Sequence, residues 1–113
     1  MAYDEAINRR MRQELAGLEG LSEKKMMGGL CFLLNGNMIG GASRTKDGSA
    51  HYMFRVGKEN AAAAEKLKGG EQVEMGGRRM GGFYYVDADD CDDALLKQWV
   101  SLALSFVTTL PPK

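Results

Sequence analysis

The sequence predicts an α+β domain of two layers: a mainly antiparallel five-stranded sheet with helices on one face, in the order α-β-β-β-α-β-β-α. Three observations carry this expectation. The 113 residues suit one hydrophobic core, so residues 1–113 are read as a single domain. The apolar runs come in pairs joined by glycine-containing turns, which makes neighbouring strands antiparallel. Helical periodicity occurs at the two ends and once in between, which supplies one covering layer rather than two.

The elements follow in order. Asp4 to Leu18 reads as a helix because Ile7, Met11, Leu15 and Leu18 fall on one face. Acidic residues in its first turn suit the helix dipole, and Gly17 or Gly20 ends it. Ser22 and Glu23 suggest a short extra turn carrying Lys24 and Lys25. Leu30–Leu34 and Met38–Ser43 form a hairpin around Asn35-Gly36-Asn37, since Asn-Gly supplies the positive-φ residues of a tight connection. Ala50–Val56 is the third strand, after a polar loop with an Asp47-Gly48 turn. Lys58–Lys68 is helical, with four alanines at 61–64, and Gly69-Gly70 stops it. Gln72–Met75 and Gly82–Val86 are two further strands around Gly76-Gly77-Arg78-Arg79. Asp89 or Asp90 caps a last helix that runs to about Val107, before Pro111-Pro112.

Composition narrows the function classes. Apolar residues make up 44% and charged residues 27%, as in ordinary globular domains. No apolar run approaches the ~18 residues of a membrane span, and the acidic N-terminus lacks the order of a secretory signal. No membrane association and a cytoplasmic location are expected. The formal net charge of zero disfavours a nucleic-acid partner, whose phosphates need clustered cations. Charge is nonetheless uneven: residues 1–86 hold 13 Lys/Arg and 10 Asp/Glu, a net of +3, while residues 87–113 hold 2 and 5, a net of −3. Cys31 and Cys91 are too few and too far apart for a disulfide framework, and read as reduced thiols.

Side-chain chemistry offers few sites. The single histidine, His51, has no second ligand beside it, so neither a metal site nor a catalytic triad is expected. Cys91 stands at a helix start, but Asp87, Asp89, Asp90, Asp92 and Asp93 surround it. Several full charges should outweigh about half a charge from the helix dipole and keep the thiol protonated. The acid run lacks the spacing of a calcium loop and reads as a capped helix start. One constellation resembles a binding site: the basic pairs Lys24-Lys25 and Arg78-Arg79 adjoin glycine pairs. Lys24, Lys25, Gly28, Gly29, Arg78 and Arg79 are therefore candidates for holding an anion or an acidic partner. No catalytic residue and no cofactor are expected.

A second candidate surface follows from the layer count. The strand at 30–34 is apolar on both sides, in 50–56 His51, Met53 and Arg55 oppose Tyr52, Phe54 and Val56, and in 82–86 Phe83 and Tyr85 oppose Tyr84 and Val86. Yet three helices do not easily cover two faces of five strands. The last helix also shows two apolar stripes, Leu95, Trp99, Leu102 and Phe106 on one and Leu96, Val100 and Val107 on the other. A homodimer is expected, with Cys31, Leu33, His51, Met53 and Tyr84 as candidate self-association residues.

Together these segments resemble the N-terminal domain of TfoX, a regulator of bacterial competence. The likeness rests on Lys25-Met26-Met27-Gly28-Gly29, Asn35-Gly36-Asn37-Met38, Phe54-Arg55-Val56-Gly57, Met80-Gly81-Gly82-Phe83-Tyr84-Tyr85-Val86 and Trp99-Val100. It implies the same order of helices and strands, and no established active site or cofactor. Met27 stands where the family favours an aromatic residue. The regulator's separate C-terminal domain has no counterpart in these residues, so a role in competence does not carry over. The expectation is a small non-enzymatic interaction or regulatory domain, with a protein partner. The alternative is a small-molecule (anion) binding protein or enzyme with a pocket at the basic glycine turns.

Overall fold

The computed structural model describes residues 5–26, 29–44, 48–75 and 77–112, apart from the side chains of 26, 74, 75 and 78–80. It contains three α-helices and six strands. They are α1 (Glu5–Leu15), β1 (Leu21–Met26), β2 (Gly29–Leu34), β3 (Asn37–Arg44), β4 (Ala50–Arg55), α2 (Ala61–Lys66), β5 (Gly70–Met75), β6 (Arg78–Asp87) and α3 (Asp93–Val107). Short 3-10 turns at Lys58–Asn60 and Ala88–Asp90 precede α2 and α3. The α+β class and the antiparallel sheet agree with the sequence reading, with one strand more than expected.

That extra strand is β1, which replaces the expected helical turn at Ser22–Lys25. It pairs antiparallel with β2 along its whole length, from Leu21 opposite Leu34 to Met26 opposite Gly29. Its sequence, LSEKKM, lacks the alternation of a half-buried strand because it lies at a sheet edge, where charges discourage further pairing. The sheet order is β1-β2-β3-β4-β6-β5, so β1 and β5 are the two edges. The β2–β3 turn forms as expected: Asn35 (φ 52°) and Gly36 (φ 84°) are both left-handed, as a two-residue hairpin requires.

The remaining boundaries differ modestly. The middle helix is shorter than the expected Lys58–Lys68, and β6 starts at Arg78, earlier than the expected Gly82. Arg78 and Arg79 thus belong to a strand rather than a loop. Neither Asp89 nor Asp90 caps α3. Asp92 does, accepting from the Leu95 amide at 2.8 Å, while Asp87 accepts from the Asp89 amide at 3.0 Å.

All three helices contribute to one core on one side of the sheet. Ile7, Met11 and Leu15 of α1, Ala64 of α2, and Leu96, Trp99, Val100, Ala103 and Val107 of α3 meet Phe32, Ile39, Tyr52, Phe54, Tyr84 and Val86. Leu95, Leu102, Leu104 and Phe106 pack against the same cluster. Both apolar stripes of α3 are therefore used within the chain, and the second stripe is not a spare partner surface. Trp99 is fully buried, stacked on Phe54 at 5.6 Å between ring centres and tilted against Tyr84 at 5.7 Å. A Cβ on Gly70 would lie 2.5 Å from its indole, so β5 reaches the ring only because residue 70 has no side chain.

Two ionic ties hold α1 in place. Arg12 grips Glu23 of β1 through Nε (2.7 Å) and Nη2 (2.9 Å), and also bonds Glu5. Arg10 donates to the Ala88 and Cys91 carbonyls and to Asp93, with its guanidinium 5.6 Å from the centre of the Tyr52 ring. At the far end of β4, the chain crosses β6 at close range. The Val56 and Gly57 amides both donate to the Gly82 carbonyl, at 2.8 and 3.2 Å. Gly82 has φ 84°, and a Cβ there would sit 2.6 Å from the Gly57 carbonyl carbon. Gly82→Ala is expected to cost roughly 2–4 kcal/mol, from left-handed strain plus backbone overlap. Urea unfolding measures this; a loss below about 0.5 kcal/mol, typical of a neutral surface change, would show that the crossing relaxes freely.

Candidate functional site

Strand alternation sorts the remaining side chains. Leu30, Phe32 and Leu34 of β2 join the core, so Cys31 and Leu33 point to the opposite, helix-free face. On β4, Tyr52 and Phe54 are in the core and His51 and Met53 are not. Directly paired residues share a face. The register therefore lays one row across that face: Lys24, Cys31, Gly41, Met53, Tyr85 and Glu71, from edge to edge. A neighbouring row contains Ser43, His51 and Asp87.

This helix-free face is half-covered rather than bare. Leu33, Met38, His51, Met53 and Phe83 are half-buried, and among the described residues Tyr85 is the large apolar one left most exposed, at 38%. Of the residues expected to mediate self-association, Cys31, Leu33, His51 and Met53 lie here. Tyr84 does not. It is 3% exposed on the helix side, against Trp99, and its neighbour Tyr85 takes the outward position. Phe83-Tyr84-Tyr85-Val86 is apolar on both parities, so the sequence offered no signal to choose between the two tyrosines.

The tyrosine side of this face holds a cavity of about 510 Å³, lined by Ser43, His51, Tyr85, Glu71, Asp87 and Asp90 among others. The His51 and Tyr85 rings stand 6.2 Å apart at 59°. Its acidic character was not expected, because Glu71 is distant in sequence from the Asp87–Asp93 run and only the β5–β6 pairing unites them. Among the described residues, no group of three or more His, Cys, Asp or Glu is arranged to hold a metal ion.

The basic constellation is spread out. Lys24 and Lys25 are exposed on edge strand β1 and, being consecutive, point to opposite faces. Lys24 pairs with Cys31 on the helix-free face, and Lys25 pairs with Leu30 on the helix side. Gly29 begins β2, where a Cβ would lie 2.7 Å from the Ala42 carbonyl oxygen. Gly28 lies outside the described residues, as do the side chains of Arg78 and Arg79. The backbone of those two arginines is on β6, with β2, β3 and β4 between it and β1.

Both thiols are buried. Cys91 is pushed up to about 11, first by burial and then by Asp92 and Asp93, against the lowering effect of Arg10. The expected direction is correct, but burial contributes more than the neighbouring carboxylates. Burial likewise raises Cys31, with Lys24 opposing it. Tyr52 is pushed up to about 12 by burial, with Arg10 opposing.

The TfoX N-terminal domain family model matches residues 13–107, from within α1 to the last residue of α3. The chain belongs to this family. No curated protein and no solved structure matches the chain. The segments quoted for the resemblance now have places in the fold. Asn35-Gly36-Asn37-Met38 builds the β2–β3 turn, Val56-Gly57 and Gly82 make the backbone crossing, and Trp99 centres the core. The family's recognisable residues are thus largely those that hold its architecture.

The buried thiol and phenol carry a pH consequence. Cys91 ionises at an ordinary 9.0 once unfolded but only near 11 when folded, and Tyr52 at 10.0 against about 12. Raised folded values mean that this stability is fully present below pH 9 and is lost as pH climbs through 11 and 12. Melting temperature is expected to fall steadily from pH 9 to 11, and the slope to lessen in Cys91→Ala. A pH-independent melt over that range would contradict the burial of both groups.

Proposed function

We propose that this chain is a small non-enzymatic interaction domain of regulatory type, which acts in the cytoplasm through the helix-free face of its sheet. The observation that carries the reading is the register row itself. Met53 and Tyr85 lie side by side on a face that no helix covers, with Leu33, Met38 and Phe83 also half-buried on it and the small, already buried Cys31 and Gly41 continuing the row. Such a patch gains free energy when a partner removes it from water, at about 25 cal/mol per Å² of apolar area. Two features favour docking over catalysis. Both cysteines are held as neutral buried thiols, which are poor nucleophiles. The one histidine stands between Ser43 and Asp87 on its row, but among the described residues no hydrogen bond joins the three, and its ring lies beside that of Tyr85.

A charge placed in the middle of this face tests the reading. Met53→Arg extends from a half-buried position away from the core, so the melting temperature is expected to change by only a few degrees. Association is expected to weaken by about tenfold or more, the effect of burying an unpaired charge at an interface. Retained association in a folded Met53→Arg variant would rule out this face as the docking surface.

A further inference from the structure

The row across the helix-free face is chemically complementary to its own reversal. Read from the β1 edge it runs Lys24, Cys31, Gly41, Met53, Tyr85, Glu71. Laid antiparallel against a second copy of itself, it sets Lys24 against Glu71, Cys31 against Tyr85 and Gly41 against Met53. Each contact joins opposite charges or a small residue and a large one. The same reversal brings the basic edge over the acidic cavity that Glu71, Asp87 and Asp90 help to line.

We propose that the occupant of this face is a second copy of the chain, related by a two-fold axis that runs along the strands between two facing sheets. The inference rests on the docking role assigned to the face above, and it specifies the partner and the register. A two-fold axis in that direction keeps each residue at its height along the strands and exchanges the two edges of the sheet. Sheets packed face to face lie about 10 Å apart with strands roughly 30° from aligned. That spacing lets the Met53 and Tyr85 side chains of each copy settle over the low ground that the small, buried Gly41 and Cys31 leave on the other. The interface is isologous, so every contact occurs twice. The Lys24 ammonium of one copy enters the cavity of the other, where carboxylates and the face of Tyr85 receive a cation.

Intrachain effects do not mimic this pairing. Lys24 and Glu71 sit on opposite edge strands, five strand spacings apart, or roughly 24 Å along the sheet. Both are exposed, so their charges change without disturbing the core.

Charge exchange between two variants provides the test. Sedimentation velocity on the wild-type chain at about 100 μM, where even a micromolar dimer is nearly full, is expected to show a dimer. Lys24→Glu alone and Glu71→Lys alone each create two like-charge contacts, and each is expected to weaken the dimer by about tenfold or more. Mixed in equal amounts, the two variants restore both pairs, one as the original Lys24–Glu71 contact and the other with its signs reversed, and a heterodimer of near wild-type affinity is expected. Thermal melts of each variant verify folding. A monomeric wild-type chain overturns the proposal and leaves Met53→Arg to judge the docking face against another occupant. A wild-type dimer whose two variants fail to recover on mixing overturns this register while the docking face stands.

Discussion

The whole arrangement depends on one indole ring. Trp99 projects from α3 onto the β4-β6-β5 half of the sheet, flat on Phe54 of β4 and tilted on Tyr84 of β6. Its N–H has no hydrogen-bond partner among the described residues, so ring contacts and shape alone position it. Gly70 admits the ring to β5, so α3 meets that edge strand as well as the central ones. A large flat group packed this closely allows little sliding. The helix layer therefore has a defined place on the sheet, and the opposite side has no helix over it.

The distribution of charge follows from that asymmetry. On the helix side, ion pairs and charge-assisted bonds tie elements together: Arg12 reaches Glu23, and Arg10 gathers the turn before α3. On the other side, Lys24 stands at one edge and Glu71 at the other with Met53 and Tyr85 between them, while His51, Arg55 and Asp87 occupy the neighbouring rows of the inner strands. Net neutrality hides this pattern, because Lys24 and the acids around Glu71 cancel in a sum although the sheet holds them apart. Local sequence composition alone does not describe such a surface; strand order does.

Features set by neighbouring residues were legible in the sequence. The Asn35-Gly36 turn, the periodic face of α1 and the antiparallel character of the sheet each follow from a few consecutive positions. Features set by distant contacts were not. LSEKKM becomes a strand because β2 offers it a partner, not because its pattern asks for one. The outward tyrosine is chosen by contact with Trp99, which sequence parity cannot reveal in a doubly apolar segment. The last helix looked too apolar to be satisfied within the chain, yet α1, α2 and the sheet together absorb both of its stripes. The acidic cavity was invisible for the same reason: its carboxylates come from β5, β6 and the turn after β6, and meet only in three dimensions.

The clasp between Arg12 and Glu23 gives β1 a distinctive status. This rim strand is laddered on one side only, and its clasp draws on a carboxylate that the arginine holds below its usual range. Rim segments with few inward side chains are where amide protons exchange first and where subglobal opening begins. The same six residues carry the lysine that defines the basic margin of the helix-free face. Order in that rim and readiness of the surface are therefore one thermodynamic quantity: whatever steadies β1 presents the lysine, and whatever loosens β1 withdraws it.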